Sequence, residues 1–180
     1  MKYTIQHTVE KLNHEEKPGL LFFWGHTVKE EITKACFSQW FPAEFQENGI
    51  KYKTAEHYMM AGKARLFSDQ KILEQIIQSE TPNMVKKLGR KVKNFDPNFW
   101  DEHKYEIVKQ GNLLKFSQNE ELKEFLLSTE DKILVEASPY DTIWGIGMLE
   151  TDPRATDPLQ WNGENLLGFA LMDVRDELRK

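Results

Sequence analysis

Residues 54–63, Thr-Ala-Glu-His-Tyr-Met-Met-Ala-Gly-Lys, combine a helix start with two side chains that can do chemistry. Thr54 is a preferred N-cap residue, which places Glu56 in the first helical turn and Lys63 two turns later. At 100° per residue, Glu56, Met60 and Lys63 share one helix face, with Glu56 and Lys63 about 10 Å apart along the axis. This spacing is too long for an i,i+4 ion pair but suits two groups that line one pocket. A solvated surface helix carries the same residue types, so the spacing alone leaves both interpretations open.

A second candidate segment is Asp141-Thr-Ile-Trp-Gly-Ile-Gly147, which follows a predicted strand at residues 132–136. Loops after strands often present functional groups, and glycines let a backbone approach a ligand closely. Trp144 is suited to stacking on a flat ring. The alternative is a turn around a buried Trp. The segment is not a G-x-G-x-x-G fingerprint, and no P-loop pattern occurs in the chain.

Other reactive residue types give weaker signals. Arg90 follows Gly89 at a predicted helix end, where it could contact a phosphate in bidentate fashion or simply be a solvated residue that favours the helix dipole. Cys36 is the only cysteine, and it lies in an apolar run that favours a packing role. The histidines lack an H-x-x-x-H spacing, and we expect His57 to be structural; the five are His7, His14, His26, His57 and His103. We therefore expect no metal site, no intrachain disulfide and no cofactor.

Composition sets broad limits on the class of protein. The 180 residues are 39% hydrophobic and 29% charged, which is typical of a globular protein with its own core. The formal net charge of −5 gives no general footprint for nucleic acid or an anionic membrane. No signal peptide or membrane span is visible, so the cytoplasm is the default location. Aromatic residues are numerous, and several lie beside Gly, Ser or Asp, which favours a pocket wall.

The pattern of elements predicts an α+β fold that is mostly helical. We expect a small antiparallel sheet from residues 20–24, a strand beginning within residues 37–45, and residues 50–53 after the Asn48-Gly49 turn. Helix starts are predicted at Thr54, Ser68, Thr81-Pro82, Asp96-Pro97 and Asn119, and a last helix at about residues 163–179. We divide the chain into an N-terminal extension, residues 1–19, and one domain, residues 20–180.

These motifs, in this order, resemble those of the NADAR (YbiA-like) family. The resemblance spans nearly the whole chain from about Leu20 and rests on six segments: Phe22-Phe-Trp-Gly25, Phe37-Ser-Gln-Trp40, residues 54–63, Leu88-Gly-Arg90, Asp141–Gly147, and Gly163-Glu-Asn-Leu-Leu-Gly168 with Leu171-Met-Asp-Val-Arg175. Two departures concern the predicted pocket rim: a longer segment between Trp24 and Phe37, and Gln39 where Asn is usual.

The resemblance implies the fold of that family and an N-glycosidase activity. Its members hydrolyse the bond between a ribose C1′ and a nitrogen, either in phosphorylated riboflavin-pathway intermediates or in ADP-ribosylated guanine. The expected partner is a small phosphorylated ribosyl substrate, with ADP-ribosylated nucleic acid as a further candidate and no membrane. The predicted substrate-binding residues are Trp24, Ser38, Arg90, Trp100, Trp144, Gly145 and Asn165.

Breaking a ribosyl C–N bond builds positive charge on the sugar, which a nearby carboxylate stabilises. Glu56 is the first candidate for this role and Asp141 the second, because helix-start amides favour an ionised Glu56. Lys63 either binds a substrate oxygen or, with a depressed pKa, forms a Schiff base with ring-opened ribose. The alternative function is a non-catalytic module that binds ADP-ribose or a related nucleotide.

Overall fold

The computed structural model describes residues 1–14 and 18–180. The chain forms two compact units: a first unit of residues Met1–Ser38 and Glu121–Lys180, and a second unit of residues Gln39–Glu120. Residues 15–17 of the predicted N-terminal extension lie outside the described part. Of the helices in the described ranges, none is long and apolar enough to cross a membrane.

The second unit is a cluster of helices around α2 (Ala55–Leu66). Thr54 caps α2 as predicted, since its side chain accepts a hydrogen bond from the backbone N–H of His57. The helix packs against three others, and its completely buried Ala61 and Ala64 present small side chains to the core, which permits close packing. These neighbours are α3 (Gln70–Gln78), α4 (Pro82–Gly89) and α5 (Pro97–Ser117).

A two-stranded hairpin completes the second unit. Strands β2 (Phe45–Glu47) and β3 (Ile50–Tyr52) pair antiparallel across Asn48-Gly49, where both residues have positive φ as a tight hairpin turn requires. The side-chain amide of Gln118, at the end of α5, accepts the backbone N–H of Gln46 and donates to its carbonyl. The small antiparallel sheet predicted from the turn signal is confirmed.

The first unit is built on a pair of parallel strands. Strand β1 (Leu20–Phe23) pairs with β4 (Ile133–Glu136), and α7 (Leu166–Leu178) packs against β4. Residues 133–135 are completely buried, which explains their unbroken apolar sequence. The other elements are α1 (Ile5–Leu12), α6 (Glu120–Leu127) and three short 3₁₀ helices at Lys34–Phe37, Pro153–Thr156 and Pro158–Gln160.

Two predictions about elements are wrong, the sheet partner of β1 and the cap of α3. Strand β1 was expected to join the antiparallel sheet, but it pairs in parallel with a strand more than 100 residues later, which local sequence does not reveal. The strand expected to begin within residues 37–45 begins at the last of them, Phe45, after the 3₁₀ helix Lys34–Phe37. Ser68 has positive φ, and Asp69 caps α3 in its place by accepting the backbone N–H of Ile72. The predicted caps Thr81 and Asp96 are confirmed.

The contact between α7 and β4 depends on a residue without a side chain. A Cβ atom on Gly168 would lie 2.1 Å from the backbone carbonyl oxygen of Leu134. We expect Gly168→Ala to lower the free energy of unfolding by about 1–3 kcal/mol, because helix and strand must separate to admit the methyl group. Gly19→Ala is the matched control, since a Cβ atom at that position would meet no atom within 4 Å. Urea denaturation measures both, and equal effects of the two substitutions would contradict this packing argument.

Candidate active site

Helix α2 begins with a buried carboxylate. Glu56 is 3% exposed, and its backbone N–H donates to the carbonyl oxygen of Gln39 at 2.9 Å. The side-chain oxygen of Gln39 in turn accepts a hydrogen bond of 2.8 Å from Nδ2 of Asn112, a completely buried residue of α5. A chain of hydrogen bonds from α5 through Gln39 therefore fixes the first turn of α2 and the residue that carries the carboxylate.

Lys63 lies two turns further along the same face, beside two aromatic rings. Its Nζ is 3.9 Å from the ring centroid of Phe95 and 5.6 Å from that of Trp100. Within residues 1–14 and 18–180, no carboxylate forms an ion pair with Lys63. Burial lowers the pKa of the Lys63 ammonium from its ordinary value, because an apolar environment disfavours the charged form. A lowered pKa favours the neutral form of the amine, which is its nucleophilic form.

Arg90 lies at the end of α4, close to the middle of the same α2 face. A Cβ atom on Gly89 would lie 2.0 Å from Sδ of Met60, so the end of α4 rests directly on Met60. Arg90 is the exposed C-cap residue that follows. In the described part of the chain, no hydrogen bond or ion pair holds its guanidinium. The group is therefore available to an anionic ligand.

The second unit contains four of the predicted site residues: Glu56, Lys63, Arg90 and Trp100. Glu56 and Lys63 share a face of α2, Trp100 contacts Lys63, and Arg90 follows the residue that touches Met60. Sequence analysis missed Phe95, which makes the shorter aromatic contact with Lys63. Its position directly before the Asp96-Pro97 helix start was the available signal, because a cap fixes the chain on both sides.

A cavity of about 540 Å³ lies on the opposite side of α2. It is lined by Tyr58, Gly62 and Arg65 from the helix, together with residues of the hairpin and α5. Glu56 and Arg65 are nine residues apart, which is 180° around the helix. The cavity is therefore separate from the Glu56–Lys63 face, and nothing in its position assigns it to the chemistry of that face.

In the first unit, Asp141 shapes the loop that carries Trp144. One carboxylate oxygen of Asp141 accepts the backbone N–H groups of Ile143 and Trp144 at 2.9 and 2.8 Å. This is the geometry of a turn-forming Asp. The structure gives Asp141 a local structural role, and its catalytic role stays a prediction. Trp144 is half-buried at the start of the glycine segment.

Gly145 and Asn165 both contact the backbone of strand β4 within the first unit. A Cβ on Gly145 would lie 2.8 Å from the carbonyl oxygen of Glu136, so this glycine permits close contact between loop and strand. Asn165 is completely buried with positive φ, and its side chain accepts the N–H of Glu136 and donates to the carbonyl of Leu134. The structural roles of both residues are clear, whereas their predicted contacts with substrate stay predictions.

The first unit also exposes aromatic surface. The rings of Trp24 and Tyr140 are 6.1 Å apart at 55°, and Tyr140 is 87% exposed. Sequence analysis named Trp24 but missed Tyr140, although its place in the turn before Asp141 indicated an exposed ring. Ser38 is half-buried and forms the C-cap of the 3₁₀ helix Lys34–Phe37. Across the described residues, no group of three or more His, Cys, Asp or Glu side chains is arranged to hold a metal ion.

Comparison with known protein families shows which family this chain belongs to. The model of the NADAR domain matches residues 22–179, nearly the whole chain. The protein belongs to the NADAR family. The motifs that carried the resemblance therefore identified the family correctly.

Curated NADAR relatives cover almost the full chain. N-glycosidase R617 of Acanthamoeba polyphaga mimivirus is 46% identical over 167 residues, which are 90% of this chain and 98% of that protein. N-glycosidase YbiA of Escherichia coli (strain K12) is 30% identical over 169 residues, which are 94% of each chain. With such relatives, the chain is an enzyme of the N-glycosidase class, and the alternative of a non-catalytic binding module is set aside.

A solved NADAR structure agrees with the fold. The NMR structure of the E. coli protein YbiA aligns with a TM-score of 0.72 and 26% sequence identity, covering 95% of this chain and 91% of that one. The predicted α+β, mostly helical fold of this family is confirmed.

His57 follows Glu56 in the sequence, but both of its ring nitrogens form hydrogen bonds with other groups of the protein. Its Nε2 is 3.1 Å from the carbonyl oxygen of Ser79, which can only accept, so Nε2 carries the proton. Nδ1 is 2.8 Å from the hydroxyl of Thr54 and therefore accepts from it. The expectation that His57 is structural is consistent with these bonds, since the neutral ring ties the N-cap of α2 to the end of α3.

These bonds predict an acid-sensitive helix start. Burial lowers the pKa of His57 below its ordinary 6.5; Lys53 also lowers it, whereas the bond to Ser79 and the charge of Glu80 oppose the shift. Below that pH the unfolded chain binds the proton more readily, so the stability contributed by neutral His57 is present above pH 6.5 and is lost on acidification. We expect the difference in unfolding free energy between wild type and His57→Gln to shrink from pH 8 to pH 5. Urea denaturation measures it, and a difference independent of pH would contradict the assignment.

Proposed function

We propose that this enzyme hydrolyses the C–N bond between ribose C1′ and a base nitrogen in a phosphorylated, nucleotide-like substrate. The observation that carries the proposal is the state of Lys63: a half-buried amine beside two aromatic rings, with a lowered pKa and no ion pair in the described chain. Burial without a carboxylate partner favours the neutral amine, which is the form that can attack a carbon. The buried carboxylate of Glu56 on the same face supplies the second group that the reaction needs.

The first step is cleavage of the glycosidic bond. The electron pair of the C1′–N bond leaves with the base nitrogen, which takes up a proton, and positive charge develops on C1′ and the ring oxygen. Glu56 stabilises this charge, because a carboxylate withheld from water interacts strongly with a nearby cation. The hydrogen bond from the backbone N–H of Glu56 to the carbonyl oxygen of Gln39 supports this role, because it fixes the backbone position from which the Glu56 side chain extends.

Lys63 acts in the second step. Its neutral amine bonds to the cationic C1′, and one proton then passes from Nζ to the ring oxygen as the bond between C1′ and that oxygen breaks, which leaves a protonated Schiff base with the ring-opened sugar. Water then hydrolyses the Schiff base, which frees the sugar phosphate and restores the amine. Without this covalent step, water would attack C1′ directly and Lys63 would bind a substrate oxygen.

Two further groups suit the proposed substrate. Arg90 is exposed and unengaged within the described chain, and a guanidinium binds phosphate in bidentate fashion. Trp100 contacts Lys63 and offers a flat surface to a ribose or base. The candidate substrates are riboflavin-pathway intermediates, NAD-like molecules and ADP-ribosylated guanine. The acidic net charge of −5 favours the small molecules over nucleic acid.

The reaction predicts a strong dependence on Glu56. We expect release of free base and sugar phosphate from one of the three substrate classes, and a loss of about 10²–10³-fold in rate for Glu56→Gln, which keeps the shape of the side chain but removes its charge. Mass spectrometry of the products measures the release. The control is Glu102→Gln, an exposed carboxylate on α5, which should act like wild type. Binding of a substrate by calorimetry without any release would overturn the proposal.

The covalent step predicts a trapped adduct. Borohydride added during turnover should reduce the Schiff base to a stable secondary amine, detected as a sugar phosphate mass on the Lys63 peptide. Lys63→Met should give no adduct and little activity, whereas Lys91→Met, which removes an exposed lysine, should resemble wild type. Absence of the adduct together with an active Lys63→Met variant would exclude the covalent role and leave attack by water.

A further inference from the structure

Phe95 lies in the connection between α4 and α5, and its neighbours hold it in place. Asp96 caps α5, and the backbone N–H of Lys93 donates to a carboxylate oxygen of Asp69 at 3.0 Å. Between them, Asn94 adopts positive φ. This short segment is thus fastened on both sides of the ring, so the position of Phe95 is set by the fold although 43% of its surface is exposed.

The Phe95 ring also packs against another aromatic ring, that of Phe67. It meets the ring of buried Phe67 at 5.3 Å and 63°, an edge-to-face arrangement. Phe99 meets the same Phe67 ring at 6.0 Å and is exposed to a similar degree, at 42%. The two residues share a support and an exposure, and they differ in that Phe95 covers an amine.

The contact between Phe95 and Lys63 is close. Nζ lies 3.9 Å from the Phe95 centroid, well within the range of an attractive cation–ring interaction and nearer than the 5.6 Å to Trp100. A ring at this distance occupies one side of the amine, so water is excluded from that side and the amine is directed away from it.

We propose that Phe95 is a positioning residue that covers Nζ of Lys63, excludes water from it and fixes the direction from which an electrophilic carbon can reach it. The proposal rests on the reactive role given to Lys63 under the proposed function. It assigns a role to Phe95, which sequence analysis did not select, and gives a physical reason for an aromatic residue beside Lys63.

Phe95 has two opposing effects on the amine. Its apolar bulk excludes water, which disfavours the ammonium and lowers the pKa of Lys63. The negative face of its ring attracts the ammonium, which favours it. Substitutions separate the two effects, because Leu keeps most of the bulk but has no ring face, whereas Ala keeps neither.

The test follows condensation of Lys63 with a small aldehyde. Glycolaldehyde and cyanoborohydride label lysines in the intact protein, and peptide mass spectrometry gives the rate at Lys63 as a function of pH. The amplitude of this profile reports access to Nζ, whereas its midpoint reports protonation of the amine. A purely structural effect of the substitution would change the amplitude but not the midpoint.

The two substitutions of Phe95 should shift the midpoint of the pH profile in opposite directions. Phe95→Ala should move the midpoint to higher pH, because water returns to the amine. Phe95→Leu should raise the fraction of neutral amine at a fixed pH by about two- to fivefold, the factor that corresponds to losing a modest cation–ring attraction. Phe99→Ala is the matched control and should leave the midpoint unchanged. A midpoint that Phe95→Ala does not move, or that Phe99→Ala moves equally, overturns the proposal.

This experiment is independent of the substrate. A shifted midpoint in Phe95→Ala without any borohydride-trapped sugar adduct would support the role of Phe95 and reject the covalent step. A trapped adduct with an unshifted midpoint would support the covalent step and reject the role of Phe95. Thermal unfolding of each variant shows whether the labelled protein is folded, since Phe95 is half-exposed and its loss is expected to be tolerated.

Discussion

The burial of α2 is the constraint on which the second unit depends. A helix that carries Glu56, His57 and Lys63 would ordinarily lie at the surface, yet most of its residues are buried. Each ionisable group therefore needs a specific environment: His57 is bonded through both ring nitrogens, and Lys63 lies against aromatic rings. The site is thus part of the core packing, and the residues that satisfy these groups are as important as the groups themselves.

The sequence predicted the helices well because their signals are local. Thr54, Thr81 and Asp96 each cap a helix within three residues of themselves, so their effect is visible in a short segment. The pairing of β1 with β4 has no such signal, since the two strands lie far apart in sequence and only tertiary packing brings them together. The cap of α3 is a smaller error of one residue: Ser68 was predicted, but Ser68 has positive φ and Asp69 is the cap.

The candidate site shows the same division. Spacing alone placed Glu56, Met60 and Lys63 on one face, because helical geometry is regular. It could not predict that Met60 meets Gly89, or that Phe95 covers Lys63, since both contacts join α2 to other elements. The glycines of the first unit are a further case. Their type indicated close approach, but the structure shows that the approaching group at Gly145 is another backbone.

The choice of an aromatic cover for Lys63 has a chemical reason. A carboxylate partner would hold the amine as an ammonium, because it stabilises the charge over a wide pH range. Full exposure to water would have a similar result, since lysine in water is protonated at neutral pH. An aromatic ring instead binds the ammonium weakly while excluding water, so the amine is held in place without being committed to the charged form. The role proposed for Lys63, in which it binds as a cation and reacts as an amine, requires this intermediate environment, and the rings of Phe95 and Trp100 lie beside its Nζ.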